Sequence, residues 1–151
     1  MPKTTDSVPV PCALIEIQPG CTGAWSDISG VANTVTLPEE VVSTGSLAVF
    51  DDETHITATG KKEPLTVTFN IAYSELPAEA FEEVLAVWEA AGCNKLLCAR
   101  VTPKGSGVGN RQIEIGDKLA GLKPPDFDAG NAGPAVASFS IFGNYTYDVA
   151  T

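Results

Sequence analysis

One run of nine residues, LTVTFNIAY at positions 65–73, limits what this chain can fold into more than any other feature. Apolar and polar side chains alternate along it, which is the pattern of a β-strand with two unlike faces. The apolar face carries Leu65, Val67, Phe69, Ile71 and Tyr73. The other face carries Thr66, Thr68 and Asn70, which are polar but uncharged. Soluble proteins usually place charged residues on an exposed strand to prevent pairing with other copies, so the missing charge needs an explanation.

A second run, at residues 135–149, repeats the pattern. One side carries Ala137, Phe139, Ile141, Tyr145 and Tyr147, and the other carries Ser138, Ser140, Asn144 and Thr146. Charged residues are plentiful in the predicted loops and helix, so charge is kept away from both strands. Two explanations stay open. Either Thr simply suits strands anywhere, or these polar faces meet other copies of the chain, where each unpaired buried charge would cost several kcal/mol.

The composition is that of an ordinary globular domain, with 44% hydrophobic and 19% charged residues. We expect residues 13–151 to form a single domain, preceded by a flexible N-terminal arm at residues 1–12. The formal charge of -10 argues against a nucleic-acid groove built from Lys and Arg. Because no apolar run approaches the roughly 20 residues of a membrane span and no signal peptide begins the chain, we expect a cytoplasmic protein without membrane contact.

The other segments predict a mainly β fold. Strands are predicted at residues 13–17, 33–37 and 95–102, with weaker strand patterns at 46–50 and 54–58. The weaker pair flanks an acidic cluster at residues 51–53 and is typical of a hairpin. A glycine-rich connection at 103–110 leads to the segment RQIEIG, and residues 123–135 form a plain connector.

One convincing helix is predicted at about residues 77–91. Pro77 suits the first helical position, and Gly92 supplies the stop. The apolar residues of this segment fall three or four positions apart and therefore share one stripe, consisting of Phe81, Val84, Leu85 and Trp88. We expect the stripe, with both aromatic rings, to pack against a sheet as part of the core.

The four cysteines, Cys12, Cys21, Cys93 and Cys98, lack the paired spacing of a structural zinc site. We expect ordinary reduced thiols, because free cysteine packs as a small hydrophobic residue. The alternative is a disulfide, within one subunit or between two, that forms after release from a reducing compartment.

The sequence offers little support for catalysis. His55, the single histidine, lies beside the acidic cluster, and no motif of a serine hydrolase or zinc protease accompanies it. The carboxylates at residues 51–53 could hold a divalent cation, but a solvated turn is the expected state. We therefore expect no enzyme activity, no catalytic residue, no cofactor and no metal.

Taken in order, these segments resemble the major tail tube protein of long-tailed, non-contractile bacteriophages. The similarity rests on an early strand with the turn WSDISGV, the stretch GKKEPLTVTFNIAYSE before the helix, the glycine loop PKGSGVG, and the final KPPDFDAGNAGPAVASFSIF. It covers about residues 13–149.

The resemblance implies a β-sandwich with one packed helix, in which six copies form a ring and their inner sheets join into a barrel around a channel. Rings of this family stack into a tube that polymerises around a tape-measure protein. Tail-tip and terminator proteins are further implied partners, and double-stranded DNA passes through the lumen without specific binding. Such a protein is assembled in the bacterial host cytoplasm and resides in the virion tail. We expect its lumen to be acidic or neutral, because like charges deny DNA its phosphate contacts.

The candidate subunit-interface residues form two sets. A loop that reaches the adjacent ring would correspond to residues 39–62, including Val41, Val42, Leu47, Val49 and Phe50. The uncharged strand faces contribute Thr66, Thr68, Asn70, Ser138 and Ser140. The alternatives are another tail component of the same fold, either a terminator or the inner tube of a contractile tail, and a monomeric ligand-binding β-sandwich in which Trp25 or Tyr145 stacks on a sugar.

Overall fold

A computed structural model describes residues 6–51, 53–90 and 92–151. The strands are β1 Leu14–Pro19, β2 Ser26–Asp27, β3 Ala32–Thr36, β4 Val42–Leu47, β5 Ile56–Lys62, β6 Leu65–Ala72, β7 Leu97–Thr102, β8 Arg111–Ile115, β9 Lys118–Lys123, β10 Val136–Gly143 and β11 Tyr145–Val149. The described residues contain one α-helix, α1 Ala80–Glu89, and a short 3-10 turn at Val10–Cys12. The prediction of a mainly β fold with one helix is confirmed.

The strands form three antiparallel sheets. One has five strands in the order β11-β8-β7-β1-β2, one has four in the order β3-β6-β10-β9, and the hairpin β4-β5 forms a sheet by itself. The two large sheets pack their apolar faces together, and Ile17, Ala99 and Ile115 of the first contribute to the same core as Phe69 and Phe139 of the second. The last two rings lie opposite each other on β6 and β10 and stack at 4.8 Å between centroids.

The predicted face of residues 65–73 matches the structure closely. Leu65, Val67, Phe69 and Ile71 are buried, and Tyr73 is half-buried against the ring of Phe81 on α1, 4.8 Å away between centroids. This strand holds its apolar side toward the core because a period of two lets every second residue face the opposing sheet.

Helix α1 is shorter than predicted and buries less of its stripe. Pro77 lies in the turn before the helix rather than at its first position. Phe81 and Val84 are buried, but Trp88 is 36% exposed, so its placement in the core was wrong. The Lys95 ammonium lies 5.7 Å from the centre of the Trp88 ring and donates to the carbonyl oxygens of Trp88 and Ala90. Lys95 therefore satisfies the carbonyl groups that the helix end leaves unpaired, and the indole packs beside it instead of inside.

The C-terminal run predicted as one strand is two strands in different sheets. β10 ends at Gly143 in the four-stranded sheet, and β11 starts at Tyr145 in the five-stranded sheet. The chain crosses between sheets where Gly143 passes Gly116, and a Cβ added at position 143 would lie 2.4 Å from the Gly116 Cα. Only glycine fits this close approach. The alternation of apolar and polar residues could not reveal this crossing between sheets, because β10 and β11 both have a period of two.

Two further elements differ from the sequence analysis. β9 was not predicted, because KLAGLK has no β-branched residue and contains a glycine. The hairpin between residues 42 and 62 was predicted, but its strands lie farther from the acidic turn than expected, at Val42–Leu47 and Ile56–Lys62.

Two of the cysteines form a disulfide. Cys21 and Cys98 are joined across 77 positions of sequence, with Cα atoms 5.1 Å apart, whereas Cys12 and Cys93 are free and exposed. The expectation of reduced thiols was therefore wrong for the first two. Pairing of β1 with β7 sets Gln18 opposite Cys98, and the tight turn after β1 brings Cys21 back to the same place.

Within the predicted N-terminal arm, residues 1–5 lie outside the described residues, and residues 6–12 are exposed. Lys104 forms an ion pair with Asp6 at 2.7 Å. That residues 1–12 form a flexible arm, separate from a domain at 13–151, stays a prediction.

Candidate functional site

The outer side of the four-stranded sheet, which we call the polar face, is mostly polar and carries the exposed apolar side chains of Val136 and Phe142 near the two ends of β10. Strand register sets its side chains in two rows across all four strands, namely Thr34, Asn70, Ser138 and Lys123 in one row, and Thr36, Thr68, Ser140 and Gly121 in the other. Thr66 adjoins them, opposite Phe142. The structure thus brings together the five polar residues predicted from β6 and β10 and adds Thr34 and Thr36 of β3.

Charge on the polar face is confined to one edge. Lys118 and Lys123, both on β9, are the only charged residues in the four strands, which contain no Asp or Glu. Lys123 is paired with Asp126 of the following loop at 3.0 Å. Most of the polar face is therefore neutral hydroxyl and amide groups.

The outer side of the five-stranded sheet is different. Asp27, Glu16, Arg100 and Glu114 lie side by side in one cross-strand row. Arg100 pairs with Glu16 at 2.6 Å and lies 4.2 Å above the centre of the Trp25 ring. If strand propensity alone kept charged residues off a sheet, the outer sides of both sheets would lack them. Only the polar face does so over most of its area, which favours a specific reason for the absence of charge there.

The edges of the four-stranded sheet are largely open. Among the described residues no strand pairs with the outer edge of β3, and β9 is met only at its start, where Leu96 bridges to Lys118. The two edge strands run in opposite directions, because the sheet has four strands and every neighbouring pair is antiparallel. A second copy related by rotation can therefore add its β3 to β9 and continue the antiparallel order.

The β4-β5 hairpin, residues 42–62, carries the second set of predicted residues. Every residue of its two strands is exposed, and the hairpin pairs with neither large sheet. Its exposed apolar side chains, with that of Val41 just before it, are Val41 (42% exposed), Val42 (39%), Leu47 (63%), Phe50 (109%) and Ile56 (59%). Val49 is half-buried. An isolated hairpin is at best marginally stable in water, and a concentration of exposed apolar residues marks a contact surface.

Two tyrosines of β11 hold the segment that enters this hairpin. The Tyr145 hydroxyl donates to the Pro38 carbonyl oxygen at 2.7 Å, and the Tyr147 hydroxyl donates to Glu40 Oε2 at 3.3 Å. Burial, Tyr147 and Glu40 raise the pKa of Tyr145. Burial and the Glu40 carboxylate also raise the pKa of Tyr147, and Arg111 offsets part of this effect.

A tyrosine titration checks these contacts. The pKa of Tyr73 is raised as well, chiefly by its hydrogen bond to Glu75, so all three tyrosines should ionise above the ordinary value of 10.0 in the folded chain. Because folding raises these pKa values, the contacts stabilise the chain below pH 10.0 and lose that effect as the pH rises through the folded-state pKa. The curve of tyrosinate absorbance against pH should lie at higher pH for the folded chain than for the denatured chain. Coincident native and denatured curves would contradict the prediction.

Sequence reasoning missed several residues of these surfaces. Thr34 and Thr36 were predicted on a strand, but the pairing of β3 with β6 was needed to place them on the polar face. Lys118 and Lys123 were missed with their strand. Ile56 was missed because it lies next to the acidic turn, in a segment with weak alternation.

The aromatic residues considered for sugar stacking are already engaged. One face of Trp25 is covered by the Arg100 guanidinium. Tyr145 is half-buried, and its hydroxyl is bonded to Pro38. Neither geometry supports the ligand-binding alternative.

His55 is exposed, and the part of the chain that the structure describes contains no group of three or more His, Cys, Asp or Glu residues placed to hold a metal ion. Within the same ranges, no helix has the length and apolar character to span a membrane.

Comparison with known proteins gives a fold relationship. No protein-family model and no curated protein matches this sequence. Among solved structures, a chain from the sheath-tube complex of the PVC extracellular contractile injection system in its extended state aligns with a TM-score of 0.74 and 13% identity, covering 97% of this chain and 94% of that one. A chain from the tube-terminating cap of the anti-feeding prophage (AFP) aligns with a TM-score of 0.73 and 12% identity over 99% and 96%. A chain from the PVC sheath/tube terminator aligns with a TM-score of 0.72 and 14% identity over 97% and 99%. The chain therefore shares its fold, over almost its full length, with chains of these assemblies.

Proposed function

We propose that this chain is a structural subunit of a phage-tail-like tube. Copies join side by side through the four-stranded sheet to form a ring, and rings stack through the hairpin. The observation that carries the proposal is a polar face with charge only on β9, on a sheet whose two edges are largely open and run in opposite directions. The full-length fold shared with chains of tube and terminator assemblies supports it.

Ring formation follows from the edges. An edge strand with unpaired backbone groups is a liability in a monomer, but a ring of copies pairs every β3 with a neighbouring β9 and leaves no edge. The contact is heterologous, since two different edges meet, and such contacts generate closed rings when the rotation closes. A ring of six is the number that the resemblance implies.

The polar face would line the channel of this ring. Thr, Ser and Asn side chains present hydroxyl and amide groups to water without the dense positive charge that holds DNA phosphates. Lys123 is already paired with Asp126. A wall of this kind, uncharged except for Lys118 and Lys123 on β9, suits the passage of double-stranded DNA without specific binding, and it would surround a tape-measure protein during assembly.

Stacking would use the hairpin. Contact with the next ring covers the exposed side chains of Leu47, Phe50 and Ile56 and stabilises a hairpin whose two strands pair with neither large sheet. The tube would then meet tail-tip and terminator proteins at its two ends. In this proposal the protein has no enzyme activity, is assembled in the bacterial host cytoplasm and resides in the tail.

The proposal covers both bare and sheathed tails. The similar solved structures come from the anti-feeding prophage and from a contractile injection system, whereas the sequence pattern resembles non-contractile phage tails. The non-contractile assignment therefore stays a prediction. A terminator role is the second candidate, because the similar structures include chains from a tube-terminating cap and from a sheath/tube terminator.

Assembly of the purified chain tests the proposal. We expect electron microscopy and sedimentation velocity to show rings and stacked tubes whose amount rises with protein concentration. Single rings that never stack would instead favour the terminator role. A species of monomer mass at high concentration, in several salts, would overturn both.

A further inference from the structure

We infer that Tyr145 and Tyr147 are positioning residues that set the direction of the β4-β5 hairpin for its contact with a second copy of this chain. The inference rests on the proposed function. Two segments, which we call legs, join the hairpin to the rest of the molecule: residues 63–64 lead into β6, and residues 37–41 follow β3. The two legs are held in different ways.

One leg is fixed by the core. β5 ends at Lys62 and β6 begins at Leu65, so only Glu63 and Pro64 separate the hairpin from a strand buried in the sandwich. The Glu63 amide donates to the Val41 carbonyl oxygen at 2.9 Å, which closes the base of the hairpin. Pro64 restricts rotation at this junction without preventing it.

The other leg has no strand to follow. Residues 37–41 leave the end of β3, at the edge of one sheet, and belong to no strand or helix. Side chains of β11, the edge strand of the other sheet, hold them through the bonds from Tyr145 to Pro38 and from Tyr147 to Glu40. The tyrosines therefore tie the hairpin base to the five-stranded sheet.

The clamp formed by these two tyrosines is itself well supported. Tyr145 packs against the hydrophobic core. Its ring meets that of Tyr147 edge to face, with centroids 6.4 Å apart. Each ring has few rotatable bonds, so a hydroxyl at its end is held in place at a small entropic cost.

Because the hairpin is long, a small change in its angle at the base moves its tip by a large distance. β5 has seven residues, so at roughly 3.3 Å per residue the tip lies about 23 Å from the base, and a tilt of about 10° moves it by about 4 Å. A displacement of that size separates apolar side chains that must touch within about 4.5 Å. Loss of the clamp should therefore weaken stacking while leaving the fold and the ring edges intact.

The double variant Tyr145→Phe with Tyr147→Phe tests this by removing two oxygen atoms. Tyr73→Phe is the matched control, because it deletes a hydroxyl that bonds Glu75 next to α1, away from the hairpin. We expect hydrogen exchange of the hairpin in the unassembled chain to quicken in the double variant and to stay unchanged in Tyr73→Phe. We also expect the concentration needed for tubes to rise about tenfold, since each lost hydrogen bond weakens the oriented state by a factor of a few. The single variants Tyr145→Phe and Tyr147→Phe should each give part of the effect.

Equal thermal unfolding of the control and the double variant would show that the comparison is between folded chains. Hairpin exchange or a tube threshold equal to that of Tyr73→Phe would overturn the inference. Failure of the proposed function is a separate result: the unaltered chain would then form no tubes, and the exchange comparison alone would decide whether the tyrosines restrain the hairpin.

Discussion

Replacement of Phe50 by Asp is expected to abolish stacked tubes while the monomer stays folded and rings still form. The Phe50 side chain is fully exposed in the hairpin tip and contributes nothing to the core. Its burial at a ring-to-ring contact would contribute about 1.5–3 kcal/mol, and a carboxylate in its place would have to be stripped of water. Every copy in the ring suffers the same loss, so the effect multiplies around the interface. Negative-stain microscopy and sedimentation velocity measure the outcome, and Val49→Asp should act in the same direction.

Two control variants separate the contact from general effects of charge. Phe50→Leu keeps an apolar side chain and should retain tubes. Val108→Asp makes the same kind of change at a residue that is 85% exposed in the β7-β8 loop, outside the hairpin. Normal tubes from Phe50→Asp would dismiss the hairpin tip as the stacking contact.

Loss of the Cys21–Cys98 disulfide is expected to lower the free energy of unfolding by roughly 2–4 kcal/mol. The bond joins the turn after β1 to β7 and closes a loop of 77 positions, so it removes much of the freedom of the unfolded chain. The melting temperature of Cys21→Ser with Cys98→Ser should fall by roughly 5–15 °C in thermal unfolding followed by circular dichroism.

Reductant provides an independent version of the same experiment. It should lower the melting temperature of the unaltered chain to that of the double variant, and it should have no effect on the variant itself. The pair Cys12→Ser and Cys93→Ser serves as the control, because both thiols are free and exposed. A melting temperature insensitive to reductant would contradict the bond. On a gel the chain should run as a monomer with or without reductant, because the bond lies within one subunit.

The parts of the fold that sequence predicted are those decided by local alternation. Phe69 and Phe139 each sit in a half-buried strand, so a period of two was enough to assign them to the core and Thr68 and Ser140 to the outside. The hairpin was found from its acidic turn. The predicted strand bounds were wrong because Val42–Leu47 and Ile56–Lys62 are exposed on both faces, which leaves no apolar period to locate the strands.

The parts that sequence missed depend on contacts between distant segments. Cys21 meets Cys98 only because β1 pairs with β7, and spacing along the chain carries no trace of that pairing. Trp88 looked like a core residue from its helical position, but Lys95 reaches back to the helix end and packs against the exposed ring. The hydrogen bonds of the Tyr145 and Tyr147 hydroxyl groups could not be predicted without knowing that β11 belongs to the five-stranded sheet.

The crossing at Gly143 also limits how the length of this chain can vary. Asn144 is the single residue between a strand of the polar face and the strand that anchors the hairpin base. One inserted residue there would reverse which side of β11 each tyrosine faces, unless the whole strand slipped in register. Insertions between residues 126 and 134 would merely lengthen an exposed loop. Homologous chains should therefore vary in length in the exposed loop before β10 and keep the same number of residues between β10 and β11.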